Sequence, residues 1–239
     1  MSSLLHVFPL GAAWIQWDSG RAGRQTLLDS LAQDSRHTVL LGETRTGKTS
    51  LVFQIAVSMA TDNKQVTFIR PKVLSHLPLP VHGMPTPEPT ALQLVKFWYP
   101  DQTEEVVKWC GAIHTQAILP DVIIMDDFDV FAGQSKNAEH GAARLYASLI
   151  DAAAWVKEKS GDCRLILTGS QRIASLPSVS RQFHFNVVLL SGVNEEEEGA
   201  CEVTSATSTY SITVRYTVGR QHIMLKSVDS RLLEKQDAT

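Results

Sequence analysis

Cysteine is scarce in this chain, three in 239 residues, and the three (Cys110, Cys163 and Cys201) stand far apart. An odd number without a C-x-x-C pair argues against a disulfide framework and against a zinc site, and it fits a reducing compartment. The eight histidines are scattered, and none forms an H-x₃₋₅-H pair accompanied by cysteine ligands. Long apolar runs are missing too: nothing approaches the roughly 18 residues of a membrane-spanning helix. The fairly apolar start, Met1 to Trp17, has no basic segment before it and is broken by Pro9 and Gly11, which argues against a signal peptide. Excess positive charge is absent, because the net charge is −3, so any nucleic-acid contact has to come from a local patch. These absences predict a soluble, intracellular protein with no membrane role. Its 44% hydrophobic content is enough for one sizeable core.

What is present is a phosphate-binding signature. Gly42-Glu43-Thr44-Arg45-Thr46-Gly47-Lys48-Thr49 matches G-x-x-x-x-G-K-[ST] without a gap. The apolar run Thr38 to Leu41 before it reads as a strand, and Leu51 to Ala60 after it reads as a helix. Glycines at 42 and 47 free the backbone so that successive N–H groups can turn toward phosphate oxygens. The helix beginning near Lys48 adds the positive end of its dipole. Lys48 is placed to reach the β- and γ-phosphates, and the Thr49 hydroxyl to ligate Mg²⁺. Residues 42–49, with Ser50 following, are the expected nucleotide-binding set, and the implied cofactors are ATP and Mg²⁺.

Along the chain, Gln25–Gln33 reads as a short amphipathic helix inside a leader that packs on the core or on a partner. Lys64–Arg70 reads as a second strand, stopped by Pro71. The proline-rich stretch from Lys72 to Thr90 excludes helix and central strand. Leu92–Tyr99 reads as a strand, and Asp101–Thr115 as a helix capped by Asp101 or Thr103. Two continuous apolar runs, Asp121–Asp126 and Cys163–Thr168, read as buried parallel strands flanking a helix from about His140 to Lys159. Phe183–Leu190 is a further strand, Glu195–Glu198 a solvated acidic loop, and Tyr210–Thr217 with Gln221–Lys226 a hairpin. The expected architecture is α/β, with a mostly parallel central sheet and a C-terminal antiparallel hairpin. The organisation read from it is a leader over 1–37, a core over 38–226 and a polar tail over 227–239.

Nucleotide chemistry needs an acid at the end of a buried strand beside the loop, and Asp126 after Val122-Ile123-Ile124-Met125 fits. Asp127 is the candidate to polarise an attacking water, with a turn or capping residue as the plainer reading. Thr168, Ser170 and Gln171, at the end of the next strand, are candidate γ-phosphate sensors, and Gln171 the candidate catalytic one; ordinary loop chemistry is the alternative.

The loop letters Arg45 and Thr46, which the generic motif does not demand, resemble the G-E-x-R-T-G-K-T loop of RecA-type recombinases. Leu92 to Pro100 with its acidic helix, the Ile123–Phe131 strand and loop, and the Leu145–Trp155 helix together resemble the SWIM-domain-associated ATPases of the Shu complex, divergent recombinase paralogues. That resemblance implies a RecA-like P-loop NTPase core acting as a nuclear accessory of homologous recombination and DNA repair. It further implies a hetero-oligomer with a SWIM-domain zinc-binding partner, single-stranded DNA as ligand, and promotion of recombinase filaments. The family's nucleotide residues map onto Gly42, Gly47, Lys48, Thr49 and Asp126, and its DNA-facing loops onto segments carrying Lys136, Arg144, Arg172 and Arg181. Active recombinases carry a catalytic glutamate after the second core strand, whereas here that strand runs Ile69-Arg70-Pro71-Lys72. Slow, DNA-stimulated ATP hydrolysis is therefore expected. Two further functions stay open: a scaffold whose P-loop is structural, and a P-loop small-molecule kinase.

Overall fold

The computed structural model describes residues 3–17, 21–33, 37–170, 182–193, 199–206 and 210–232. Its helices are α1 (Ser3–Val7), α2 (Arg21–Gln33), α3 (Lys48–Thr61), α4 (Pro89–Leu92), α5 (Thr103–Gly111), α6 (Phe128–Ala132) and α7 (Ala138–Ser160). Its strands are β1 (Gln16–Trp17), β2 (Thr38–Gly42), β3 (Val66–Ile69), β4 (Val95–Trp98), β5 (Val122–Met125), β6 (Arg164–Gly169), β7 (Asn186–Gly192), β8 (Ala200–Ala206), β9 (Tyr210–Val218) and β10 (Ile223–Leu232). All ten join one sheet in the order β1-β10-β9-β8-β7-β2-β6-β5-β3-β4. From β7 to β4 every pairing is parallel, while β7, β8, β9 and β10 pair antiparallel.

Alternation along the central strands divides the interior into two cores. Leu40, Phe68, Ile124 and Ile166 point to the side covered by α1, α2 and α3. Their neighbours Val39, Leu41, Ile69, Ile123, Met125, Leu165 and Leu167 point to the side covered by α5, α6 and α7. Strands buried on both faces need apolar residues at every position, which is why these segments read as continuous runs rather than alternating ones. Burying such a side chain contributes about 1.5–3 kcal/mol.

Several boundaries differ from the sequence reading. The expected helix 101–115 is α5 followed by a 3₁₀ turn at Ile113–Thr115, and its N-cap is Gln102, in a capping box with Glu105. The long helix starts at Ala138 because the Asn137 carboxamide oxygen accepts from the Glu139 and His140 amides. In the proline-rich stretch, helix was excluded up to Thr90, yet α4 starts at Pro89, where a proline at N1 gives up no intrahelical bond. The strand expected over 92–99 is correspondingly shortened to β4.

The C-terminal hairpin is half of a four-stranded antiparallel array, because β8 stands between β7 and β9. The polar tail expected from Ser227 is, through Leu232, the second half of β10, paired with β9 as far as Tyr210. The leader contributes to the first core through Leu4, Val7, Phe8, Leu10, Ile15, Leu27 and Leu31, and β1 adds to the sheet by pairing parallel with β10. The acidic loop Glu195–Glu198 lies outside the described residues. No described helix is long and apolar enough to cross a membrane.

Candidate functional site

The ends of four adjacent parallel strands converge. β2 runs into the glycine loop, β6 ends beside Thr168 and Ser170, β5 leads to Asp126, and β3 leads to Arg70. Crevices at the carboxyl ends of parallel strands are where ligands bind in open α/β sheets.

The loop has the backbone form a phosphate cradle requires. Arg45 (φ 68°) and Gly47 (φ 77°) are both left-handed, the kind of backbone turn in which successive N–H groups form an anion-binding concavity. The two glycines serve different ends. Gly47 takes the left-handed conformation at the N-cap of α3, whereas Gly42 is required by crowding: a Cβ there would lie 2.6 Å from the Leu190 carbonyl oxygen on β7. The Thr46 hydroxyl donates to the Glu43 carbonyl at 3.0 Å. Lys48 folds back over the loop, its Nζ donating to the Gly42 carbonyl at 2.8 Å and also to the Glu43 carbonyl. Desolvation pulls the Lys48 ammonium below its usual range, opposed by Asp127, Asp129, Asp126 and Glu43. Glu43, Thr44 and Arg45 are exposed, and the Ser50 hydroxyl accepts from the Leu79 amide at 3.1 Å.

Asp126 is fully buried. Its Oδ1 accepts from the Thr168 hydroxyl at 2.6 Å, and its Oδ2 accepts from the Thr49 hydroxyl at 2.9 Å. Burial first, and the Asp127 charge second, push its carboxyl above the usual range; Thr168, Arg70 and Thr49 act against that. The structure thus joins Thr49 and Asp126 across 77 residues of chain. A hydroxyl and a carboxylate oxygen side by side are hard donors of the kind Mg²⁺ takes when it also carries phosphate and water. The cradle and this oxygen pair together fit a magnesium nucleotide.

Asp127 is left-handed at φ 56° and opens α6 as its N-cap. Its amide donates to the Thr168 hydroxyl at 3.0 Å, and its carboxylate meets Arg70 Nη2 at 3.3 Å. The Thr168 and Ser170 hydroxyls, read from sequence as possible phosphate sensors, are occupied with acids. Thr168 holds Asp126, and Ser170 donates to Asp129 through its hydroxyl (2.6 Å) and amide (3.1 Å). Gln171, Arg172 and Arg181 lie outside the described residues. Lys136 is exposed in the turn before α7. Arg144 on α7 is paired with Glu104 on α5 at 3.0 Å, a surface contact of small energetic weight.

Sequence reasoning overlooked three contributors. Arg70 figured only as the absence of an acid, yet its Nε is 3.5 Å from Asp126 Oδ2 and its Nη2 meets Asp127. Asp129 anchors Ser170, and Tyr216 on β9 reaches the carbonyl of Thr46. No local pattern marks these residues, because each is brought in by the sheet order.

Strand order, loop and buried acid define a P-loop NTPase fold of the RecA-like type. The family model of the ATPase family associated with various cellular activities (AAA) matches residues 38–190, and the chain belongs to that family. Among solved structures, the RadB recombinase is similar with a TM-score of 0.53 at 13% identity, over 82% of this chain and 95% of that one. A DnaB-like replicative helicase, described with its interactions with primase, has a TM-score of 0.57 at 11% identity, over 84% of this chain and 62% of that one. At such identities the likeness is one of fold. No curated protein matches the chain.

Proposed function

We propose that this protein binds ATP with Mg²⁺, hydrolyses it slowly, and serves as a recombination accessory of the Shu-complex type. The observation that carries the nucleotide reading is the 2.9 Å bond from Thr49 to the buried Asp126, which closes the phosphate loop onto the one fully buried acid among the described residues. The loop amides and the α3 N-terminus are the seat for the phosphates, and Lys48 exchanges the Gly42 and Glu43 carbonyls for phosphate oxygens. Thr49 and Asp126 hold the metal. When bound, Mg²⁺ supplies neutralisation of the charge that develops on the phosphates. Asp127 and Gln171 are the candidates for orienting the attacking water.

The recombination role draws support from the loop letters Arg45 and Thr46 and from the fold shared with the RadB recombinase. It carries the remaining proposals: nuclear location, a SWIM-domain zinc-binding partner, weak and salt-sensitive contact with single-stranded DNA through Lys136, Arg144, Arg172 and Arg181, and support of recombinase filaments.

ATP binding and turnover of the wild type and Lys48→Ala, with and without single-stranded DNA, test the nucleotide part. The expected result is slow turnover stimulated by DNA and abolished in the variant. Phosphoryl transfer to a metabolite would sink the reading. Co-purification with a SWIM-domain protein tests the partner; its absence at micromolar concentrations would count against the Shu assignment.

A second reading has one observation in its favour. Arg70 engages both Asp126 and Asp127, which suits a nucleotide-binding scaffold that turns over little. ATP binding without any turnover, with or without DNA, would select it. For a small-molecule kinase the 72–90 connection would serve as a lid, but Leu79, Val81 and Pro85 are bonded to Ser50 and Gln54 on α3.

A further inference from the structure

The side chain of Arg70 is 14% exposed, and it sits between two carboxylates of unlike character. One is Asp126, fully buried and held by the Thr49 and Thr168 hydroxyls. The other is Asp127, whose side chain is 37% exposed. Toward Asp127 the guanidinium presents Nη2 at 3.3 Å with hydrogen-bond geometry. Toward Asp126 it presents Nε at 3.5 Å from Oδ2, and that buried Nε has no hydrogen-bond partner. The contact with Asp126 is thus charge against charge without a directed bond, on the same oxygen that accepts from Thr49. Lys48 is committed to the Gly42 and Glu43 carbonyls, and Asp129 is committed to Ser170.

We propose that Arg70 is a built-in competitor for the divalent cation. It neutralises Asp126 Oδ2 when no metal is there, and when Thr49 and Asp126 take up Mg²⁺ it gives up that contact and keeps its bond to Asp127 alone. A buried carboxylate needs a compensating charge in either state, and two cations cannot share one oxygen without repulsion. Asp127 then holds the guanidinium released from Asp126, and the Arg70–Asp127 pair sets how much Mg²⁺ is needed to complete the nucleotide site. This inference rests on the magnesium-nucleotide reading above. It makes Arg70 a positioning residue, whose effect is on metal affinity rather than on a chemical step.

The test measures binding of a fluorescent ADP analogue while Mg²⁺ is titrated, starting from EDTA. Arg70→Gln is expected to lower the half-maximal Mg²⁺ concentration by on the order of tenfold, as loss of one neighbouring like charge implies, with nucleotide affinity in EDTA unchanged. Arg70→Lys, which keeps the charge, should stay closer to wild type. Asp127→Asn should raise the midpoint in the wild-type background and leave it unmoved in Arg70→Gln. An equal effect of Asp127→Asn in both backgrounds would mean simple electrostatics, and it would overturn the proposal, as would an unmoved or raised midpoint in Arg70→Gln.

A measurement on the wild type covers the case in which Arg70→Gln does not fold. The ¹⁵N resonance of Arg70 Nε should shift during the Mg²⁺ titration at saturating nucleotide, and should stay in place when nucleotide is added in EDTA. A resonance indifferent to Mg²⁺ overturns the proposal. Failure of wild type to bind the nucleotide at any Mg²⁺ concentration overturns both readings together, whereas binding with an Arg70-independent midpoint overturns this one alone.

Discussion

The phenol of Tyr216 donates a 2.7 Å hydrogen bond to the carbonyl of Thr46, joining the C-terminal part of β9 to the phosphate loop across 170 residues of sequence. Tyr216 is buried, and burial pushes its ionisation well above the usual range, so it remains a donor at any working pH. Beside it, Ile223 and Val218 pack on Gly47 at the distance a Cβ there would find crowded. Removing the phenol oxygen leaves a buried carbonyl unsatisfied, at a cost of about 1–3 kcal/mol. Tyr216→Phe should lower the urea midpoint accordingly and weaken nucleotide binding more than a surface change would. Unchanged affinity would mean that the loop holds its form without the hairpin.

Gly42→Ala tests the crowding between β2 and β7. The added methyl would meet the Leu190 carbonyl at 2.6 Å and the Leu190 Cβ at 2.7 Å, both close to backbone that cannot move without disturbing the ladder. Overpacking of this kind costs about 1–3 kcal/mol. Chemical denaturation should show the loss, and a midpoint equal to wild type would mean that the strands separate freely.

Gln54 fastens the proline-rich connection to α3. Its Nε2 donates to the Pro85 carbonyl at 2.9 Å, and its Oε1 accepts from the Val81 amide at 3.1 Å. In Gln54→Leu both backbone groups lose their partner, a destabilisation of about 2 kcal/mol or more. Amide exchange at Val81 should quicken, and cleavage within 72–90 by a broad-specificity protease should precede global unfolding.

Acid should weaken the fold through His6. Burial, with the Arg164 charge acting in the same direction and Asp62 against it, brings this imidazole from 6.5 down to about 4. His37, whose Nδ1 accepts from the Leu165 amide at 3.1 Å, is lowered as well, chiefly by burial. Protons then bind the unfolded chain more readily. The His6 contribution is complete above about pH 6.5 and disappears as the pH falls toward 4, for a loss of at most about 3 kcal/mol. Unfolding free energies at pH 7.5 and pH 5 should differ in this sense, and His6→Gln should narrow the gap. An equal gap in the variant would place the acid sensitivity elsewhere.

The parts of the site legible in the sequence are those whose chemistry fixes a local spacing. The loop needs Gly42, Gly47, Lys48 and Thr49 at set intervals, and a doubly buried strand needs an unbroken apolar run before Asp126. β8 escaped because its inward positions are Cys201, Val203 and Ser205, and the buried Ser205 is satisfied by Asn186 on β7 rather than by an apolar neighbour. The continuation of β10 escaped for a similar reason: after Lys226 the strand carries Ser227, Asp229, Ser230 and Arg231, with Val228 as its buried apolar residue. Ladder hydrogen bonds hold such a strand whatever its side chains, and they are invisible to hydropathy. Arg70 was unreadable in another way, since a cation between two acids is defined by where β3 and β5 end in space.

The pairing of β1 with β10 has a bearing on how the chain comes to be folded. Gln16 and Trp17 sit beside Ser227 and Val228, so the edge strand β1 waits for a strand that lies far later in the sequence. Thr46 likewise waits for Tyr216. Contacts of such separation are slow to form, and in the interval the nascent β2–α3 unit exposes the apolar faces that the hairpin later covers. The phosphate loop is thus completed late, and a ribosome stalled before β9 would carry a signature without its site.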